Sequence, residues 1–220
     1  MGLKVIITGA TGMVGEGVLF QCLESREVDK VLSVSRKRYP LDHPKLEHCI
    51  IPDFFQLEAF SNQLSGYDAC FFCAGITSLG KDEADYTRIT YDTTLHFARK
   101  LLALNSYMTF IYVSGAGTDS SEKGKLMWAR VKGKTENDLM RLPFKRVYNF
   151  RPGIMKDMKG QKNVRPIFKI MLVIYPIVKA LAPNTASTLA QVGTAMIKAV
   201  THGYPKNVLE VSDINKLSES

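Results

Sequence analysis

No stretch of the 220-residue chain reads as a membrane span. Ile167 to Leu181 comes nearest, but Pro176 interrupts it and it contains Lys169 and Lys179. A bilayer-crossing helix needs about twenty consecutive apolar residues. Cysteine is scarce: Cys22, Cys49, Cys70 and Cys73 lie in or beside apolar runs. Only one Cys-x-x-Cys pair occurs, Cys70-Phe-Phe-Cys73, with no second pair to complete a metal site, so structural thiols in a reducing compartment are expected and no metal. The first strand is expected to begin at residue 3, which leaves no room for a targeting peptide, and a cytoplasmic protein is expected. There is no long block of like charge. The formal net charge of +8 is spread along the chain, as on an ordinary solvated surface, so no nucleic-acid partner is expected. No repeat, low-complexity tract or linker composition divides the chain, and residues 1–220 read as a single domain.

What is present is organised around Lys4-Val5-Ile6-Ile7-Thr8-Gly9-Ala10-Thr11-Gly12-Met13-Val14-Gly15. An apolar run, a glycine cluster and then helical apolar spacing at Val14, Val18, Leu19 and Leu23 predict strand, tight turn and helix. Gly9 would turn the chain, Gly12 would let backbone approach a pyrophosphate, and Gly15 would let helix pack on strand. Free N–H groups at the new helix's start would hold the phosphates. The alternative is a glycine-rich turn without a ligand.

Further strands are expected at 31–35, 46–51, 68–73, 108–114 and 146–150. Helices are expected from Phe54 to Leu64, from Asp82 to Leu104, from Lys123 to Arg141 and over 192–200, with a closing edge strand at 208–211. Strand and helix alternate, with crossovers long enough for parallel pairing. The fold class is therefore α/β, a doubly wound parallel sheet of Rossmann type with helices on both faces. Residues 153–190 form a small C-terminal lid or substrate-side region. Within it the apolar segment 167–181 is read as a lid or a subunit contact, with peripheral contact to a membrane surface as the alternative.

The ordered landmarks are Gly9-x-x-Gly12-x-x-Gly15, Cys73-Ala74-Gly75, Val113-Ser114, Lys132 and Arg151-Pro152-Gly153. Together they resemble the extended and atypical branch of the short-chain dehydrogenase/reductase superfamily. Trp128-Ala-Arg-Val-Lys-Gly-Lys-Thr-Glu136 further resembles its small Tat-interacting-protein-like subgroup of NADP-binding proteins. The resemblance implies that Gly9, Thr11, Gly12, Met13, Val14 and Gly15 form the pyrophosphate turn, and that Cys73, Ala74 and Gly75 flank ribose and pyrophosphate. It implies that Asp53 accepts from the adenine amine, or caps a helix starting at Phe54. It places Arg36 where the extra phosphate of NADP would sit, and no carboxylate at Ser35, Arg36 or Lys37 would favour NAD. NADP(H) is thus the expected cofactor.

Ser114 takes the place of the carbonyl-polarising serine, and Lys132 that of the lysine holding the nicotinamide ribose; both are candidate catalytic residues. The family's Tyr-x-x-x-Lys is broken, because Trp128 stands at the tyrosine position and an indole does not titrate near neutral pH. The literal match Tyr175-Pro-Ile-Val-Lys179 falls outside the catalytic helix and is read as chance. The resemblance implies an NADP-dependent oxidoreductase with altered proton chemistry acting on a small carbonyl, quinone or enone. The alternative is a non-catalytic NADP(H)-binding sensor or partner-binding protein. The two helices over 82–104 and 123–141 are those through which the family often pairs subunits, making a homodimer an option.

Overall fold

Alternation along the first strand sets the layering. In β1 (Leu3–Thr8) Val5 and Ile7 enter one apolar cluster and Ile6 the other, and all three are fully buried. A strand apolar on both sides needs cover on both sides, as in parallel sheets flanked by helices. The computed structural model describes residues 2–163, 175, 178 and 182–220, and it shows that arrangement. After β1 come α1 (Met13–Glu24), β2 (Val28–Ser35), β3 (Leu46–Ile50), α2 (Ser61–Leu64) and β4 (Ala69–Phe72). Next are α3 (Glu83–Thr87), α4 (Thr93–Leu104), β5 (Thr109–Val113), α5 (Met127–Met140), β6 (Arg146–Phe150) and β7 (Ile154–Lys156). The chain closes with β8 (Ala186–Thr188), α6 (Leu189–Thr201), β9 (Val208–Leu209) and α7 (Val211–Glu219).

Among the described residues the main sheet has seven strands in the order β3-β2-β1-β4-β5-β6-β9, all paired parallel. The expected Rossmann-type α/β sheet is therefore present. β1 and β4 are neighbours although two strands intervene in sequence, so the chain reverses its winding there and opens a crevice at their carboxyl ends. One face is covered by α1, α6 and α7, whose Val18, Leu19, Val192, Met196 and Ile214 pack on Val5, Ile7 and Ile111. Leu189 at the start of α6 sits in the notch over Gly17. The other face is aromatic, with Phe72 against Phe97, Phe110 and Tyr112 beneath α4.

Three expectations need correction. The helix from Phe54 to Leu64 shrinks to a 3-10 turn at Glu58–Phe60 followed by α2. Asp53 takes the Phe55 N–H at 2.9 Å and the Gln56 side chain at 3.3 Å, closing a turn where a helix would start. The helix over 82–104 is interrupted by a π-helical turn at Arg88–Asp92, between α3 and α4. The closing strand is only Val208–Leu209, because Glu210 caps α7 by accepting from the Asp213 N–H while Asp213 accepts from the Glu210 N–H. Within the expected lid region, Ile154–Lys156 and Ala186–Thr188 pair as a small second sheet. The apolar segment 167–181, with its Tyr175–Lys179 match, lies outside the described residues apart from Tyr175 and Val178. Among the described residues no helix is long and apolar enough to cross a membrane.

Candidate functional site

Two loops meet where the sheet reverses. Thr8 ends β1 and its Oγ1 accepts the Ala74 N–H at 3.1 Å, joining the turn after β1 to the loop after β4. Gly9 has φ +74, and a Cβ there would stand 2.7 Å from the Cys73 carbonyl and the Ala74 nitrogen. At Gly15 a Cβ would come within 2.2 Å of the Gly9 carbonyl oxygen. These two glycines let the first turn of α1 fold back tightly on β1. The Gly12 N–H donates to the Gly9 carbonyl at 2.9 Å, and no side chain caps α1. The first N–H groups of a helix have no intrahelical acceptor, so those of α1 remain for an anion.

A cleft of about 560 Å³ runs from this turn along the carboxyl edge of the sheet. Thr11, Gly12, Met13 and Val14 line one end, Cys73 and Gly75 the side, and Ser114 and Lys132 the other end. The structure thus gathers eight of the expected site residues in one cleft. Gly9, Gly15 and Ala74 frame it from behind. Arg36 is exposed just past β2, and neither it nor Lys37 makes an ion pair among the described residues. Asp53 is exposed and lines a separate hollow with Pro52, Phe55 and Gln56, where its carboxylate caps a turn. Trp128 lies in the first turn of α5, half-buried, with its ring edge beside Gly117. The four cysteines are free; burial pushes the Cys73 thiol up to about 12, so it is an unreactive wall of the cleft.

Behind the cleft is a polar network. Lys132 reaches from α5 and donates to the Ser114 carbonyl. Burial lowers its amine from 10.5 to about 8, while the charge of Glu136, one helical turn on, acts against that shift. The Ser114 hydroxyl lies within bonding reach of the fully buried Glu136 carboxylate and is 3.2 Å from the Phe150 carbonyl. A hydroxyl has one proton, and here both neighbours are acceptors, so that proton faces inward, away from the cleft. Arg151 holds Glu136 through two nitrogens, at 3.0 and 2.5 Å, and continues to Glu210 at 3.0 Å and Ser120 at 2.6 Å. Arg151 belongs to the Arg151-Pro152-Gly153 landmark, but nothing in the sequence pattern there announces this role. Glu136 could have been found from its spacing, four residues beyond Lys132 on one helical face.

The fold and this cleft define a dinucleotide-binding domain of Rossmann type, with a glycine turn at one end and a serine–lysine pair at the other. Residues 5–124 match the NAD dependent epimerase/dehydratase family, and the chain belongs to that family. This lies within the atypical short-chain dehydrogenase/reductases. The rat protein HTATIP2 is 27% identical over 154 residues, 69% of this chain and 62% of its own length. The mitochondrial protein FMP52 of Eremothecium gossypii is 26% identical over 204 residues, 88% of each chain. The match thus spans less than two thirds of the rat relative's length. In fold, the Bordetella bronchiseptica enzyme WbmF, solved with NAD+ and UDP, superposes with a TM-score of 0.68 at 17% identity, over 99% of this chain and 77% of that one. The short-chain dehydrogenase/reductase YIR035C of Saccharomyces cerevisiae gives 0.69 at 15% identity, over 99% of both chains.

Proposed function

We propose that the protein is an NADP(H)-dependent oxidoreductase acting on a small carbonyl, quinone or enone, with Lys132 supplying the proton that a tyrosine supplies elsewhere. The observation that carries this reading is the Lys132 amine, lining the cleft at the end away from the glycine turn and lowered to about 8 by burial. The glycine turn fits a pyrophosphate, because Gly12 leaves open the space a Cβ would take, with only the Gly9 carbonyl oxygen 3.4 Å from it, and the N–H groups of the turn are uncapped. Arg36 and Lys37, without an ion pair among the described residues, suit the extra phosphate of NADP. A bound reduced nicotinamide supplies hydride. Lys132 then gives one N–H proton to the oxygen that becomes the hydroxyl, and its neutral amine is reprotonated from the open cleft. An amine lowered towards neutrality gives up a proton more readily than an ordinary lysine. Four free cysteines suit a reducing compartment, the cytoplasm or a mitochondrial matrix alike.

A second reading, a non-catalytic NADP(H) sensor, is favoured by one observation: the Ser114 proton faces Glu136 and is not offered to a substrate oxygen. Titrating NADPH and NADH against the emission of Trp128, the single tryptophan, is the first experiment. A panel of aldehydes, quinones and enones follows, with NADPH oxidation as the readout. Tighter binding of NADPH and turnover of at least one class support the enzyme. Tight binding with no turnover supports the sensor, and no binding of either nucleotide removes both readings.

A further inference from the structure

Glu16 is the third residue past Met13 in α1, and it is fully buried although it carries a carboxyl group. Among the described residues no lysine or arginine side chain pairs with it. Instead it accepts five hydrogen bonds: from the Tyr39 hydroxyl at 2.6 Å, the Gln161 side chain at 3.3 Å, the Lys162 N–H at 3.0 Å, the Asn163 N–H at 2.9 Å and the Asn163 side chain at 3.0 Å. Burying a carboxyl group is unfavourable unless its lone pairs are taken up, and here they are. Four of the five donors come from one short strap, Gln161 to Asn163, some 145 residues away in the chain. The same strap donates from the Gln161 side chain to the Met13 carbonyl at 2.8 Å, and Gln161 in turn accepts the Met158 N–H at 2.7 Å. The strap therefore rests on the first turn of α1, beside the uncapped N–H groups.

Its exposed residue is Lys162. That side chain lines the cleft together with Thr11, Gly12, Met13 and Val14. Lys132, the other cation lining the cleft among the described residues, is engaged by the Ser114 carbonyl at the far end. Lys162 has no side-chain partner among the described residues. An anion seated on the glycine turn would meet only backbone dipoles from below, and a flexible ammonium is placed above it.

We propose that Lys162 is a phosphate-binding residue, its ammonium closing over the dinucleotide pyrophosphate opposite the glycine turn, and that Glu16 is the positioning residue that holds it there. This rests on the dinucleotide-binding reading of the cleft. It also explains why a carboxyl group is placed at Glu16, close to where phosphate would bind: its oxygens are turned away and filled by the strap. Tyr39 hangs on the same carboxyl group, so the basic loop carrying Arg36 and the strap carrying Lys162 share one anchor.

The test compares wild type with Lys162→Gln, Lys162→Arg and Glu16→Gln by direct binding of NADPH, NADH and ADP, with no turnover required. Lys162 is exposed, so its variants are expected to keep the wild-type melting temperature. Removing one ammonium–phosphate contact at a cleft mouth is expected to weaken all three ligands by about tenfold. Lys162→Arg should retain most of the affinity, and the dependence of binding on NaCl should be shallower in Lys162→Gln. Glu16→Gln presents an amide N–H₂ to groups that are themselves donors. It should weaken binding similarly and speed tryptic cleavage at Lys159 and Lys162 in the unliganded protein. Wild-type binding that Lys162→Gln leaves unchanged overturns the proposal. A loss confined to NADPH would move Lys162 to the extra phosphate and overturn its pyrophosphate placement. Failure of wild type to bind any of the three ligands overturns the dinucleotide reading itself, and this proposal with it.

Discussion

Replacing Lys132 by methionine should make the protein more stable at neutral pH. Burial lowers the Lys132 amine from 10.5 to about 8, so folding disfavours its charged form. At about 1.4 kcal/mol per pH unit the ceiling on that penalty is about 3.5 kcal/mol. The side chain is partly open to the cleft, and solvent there reduces the recoverable part to about 1–2 kcal/mol. For a chain of this size that is a rise in melting temperature of roughly 2–8 °C. Methionine keeps the apolar stem, one atom shorter, and gives up the bond to the Ser114 carbonyl and the attraction of Glu136.

The sign follows from proton uptake. Below pH 8 the amine is charged in both folded and unfolded chains, and the full penalty applies. Between 8 and 10.5 the unfolded chain binds more protons than the folded one, so the penalty shrinks as pH rises. Above 10.5 it is gone. Thermal melts of wild type and Lys132→Met at intervals from pH 7 to pH 10.5 should therefore show a gap that is widest at pH 7–8 and closes towards 10.5. Taking the difference cancels other groups that titrate in both proteins. A variant less stable than wild type at pH 7, or a gap that stays flat across that range, would refute the reasoning.

Three further outcomes are expected. Gly15→Ala forces a Cβ to within 2.2 Å of the Gly9 carbonyl, where only backbone could yield, and should cost more than about 3 kcal/mol in urea unfolding. Arg151→Met leaves the buried Glu136 carboxylate without its cation and should cost about 3–5 kcal/mol, and adding Glu136→Gln should recover a large part. Trp128→Tyr restores the tyrosine–lysine spacing on α5 and should raise NADPH-dependent turnover at least a hundredfold on any substrate the wild type reduces.

Much of the fold was legible because it depends on local signals. Leu3–Thr8 and Arg146–Phe150 are buried strands bounded by glycine or proline, and their limits coincide with β1 and β6. Phe54, Leu57, Phe60 and Leu64 carry helical spacing for another reason: they reach the cluster under α4 from a looped chain that Asp53 holds in a turn. The carboxylates at Glu210 and Asp213 before Ile214 and Leu217 are a cap signal that was available, and α7 follows from it. The cleft's glycine, serine and lysine residues could be placed from their order along the strands. Glu16 could not. A single acidic residue among the apolar positions of α1 reads as a solvent-facing side chain until the strap, nearly 150 residues later, supplies its donors.

The packing of α6 over α1 also bears on how the protein is made. Val18, Leu19 and Cys22 leave the ribosome well before their cover, because the helix that packs on them begins only at Leu189, about 170 residues later. At about 5–20 residues per second the apolar face of α1 waits roughly ten to thirty seconds for its partner. The last sheet strand and α7 arrive later still. Contacts of such long sequence separation slow folding and leave apolar surface open meanwhile. The glycine helix that shapes the cleft is thus made well before the helix that covers it, and holdase chaperones have most to protect in that interval.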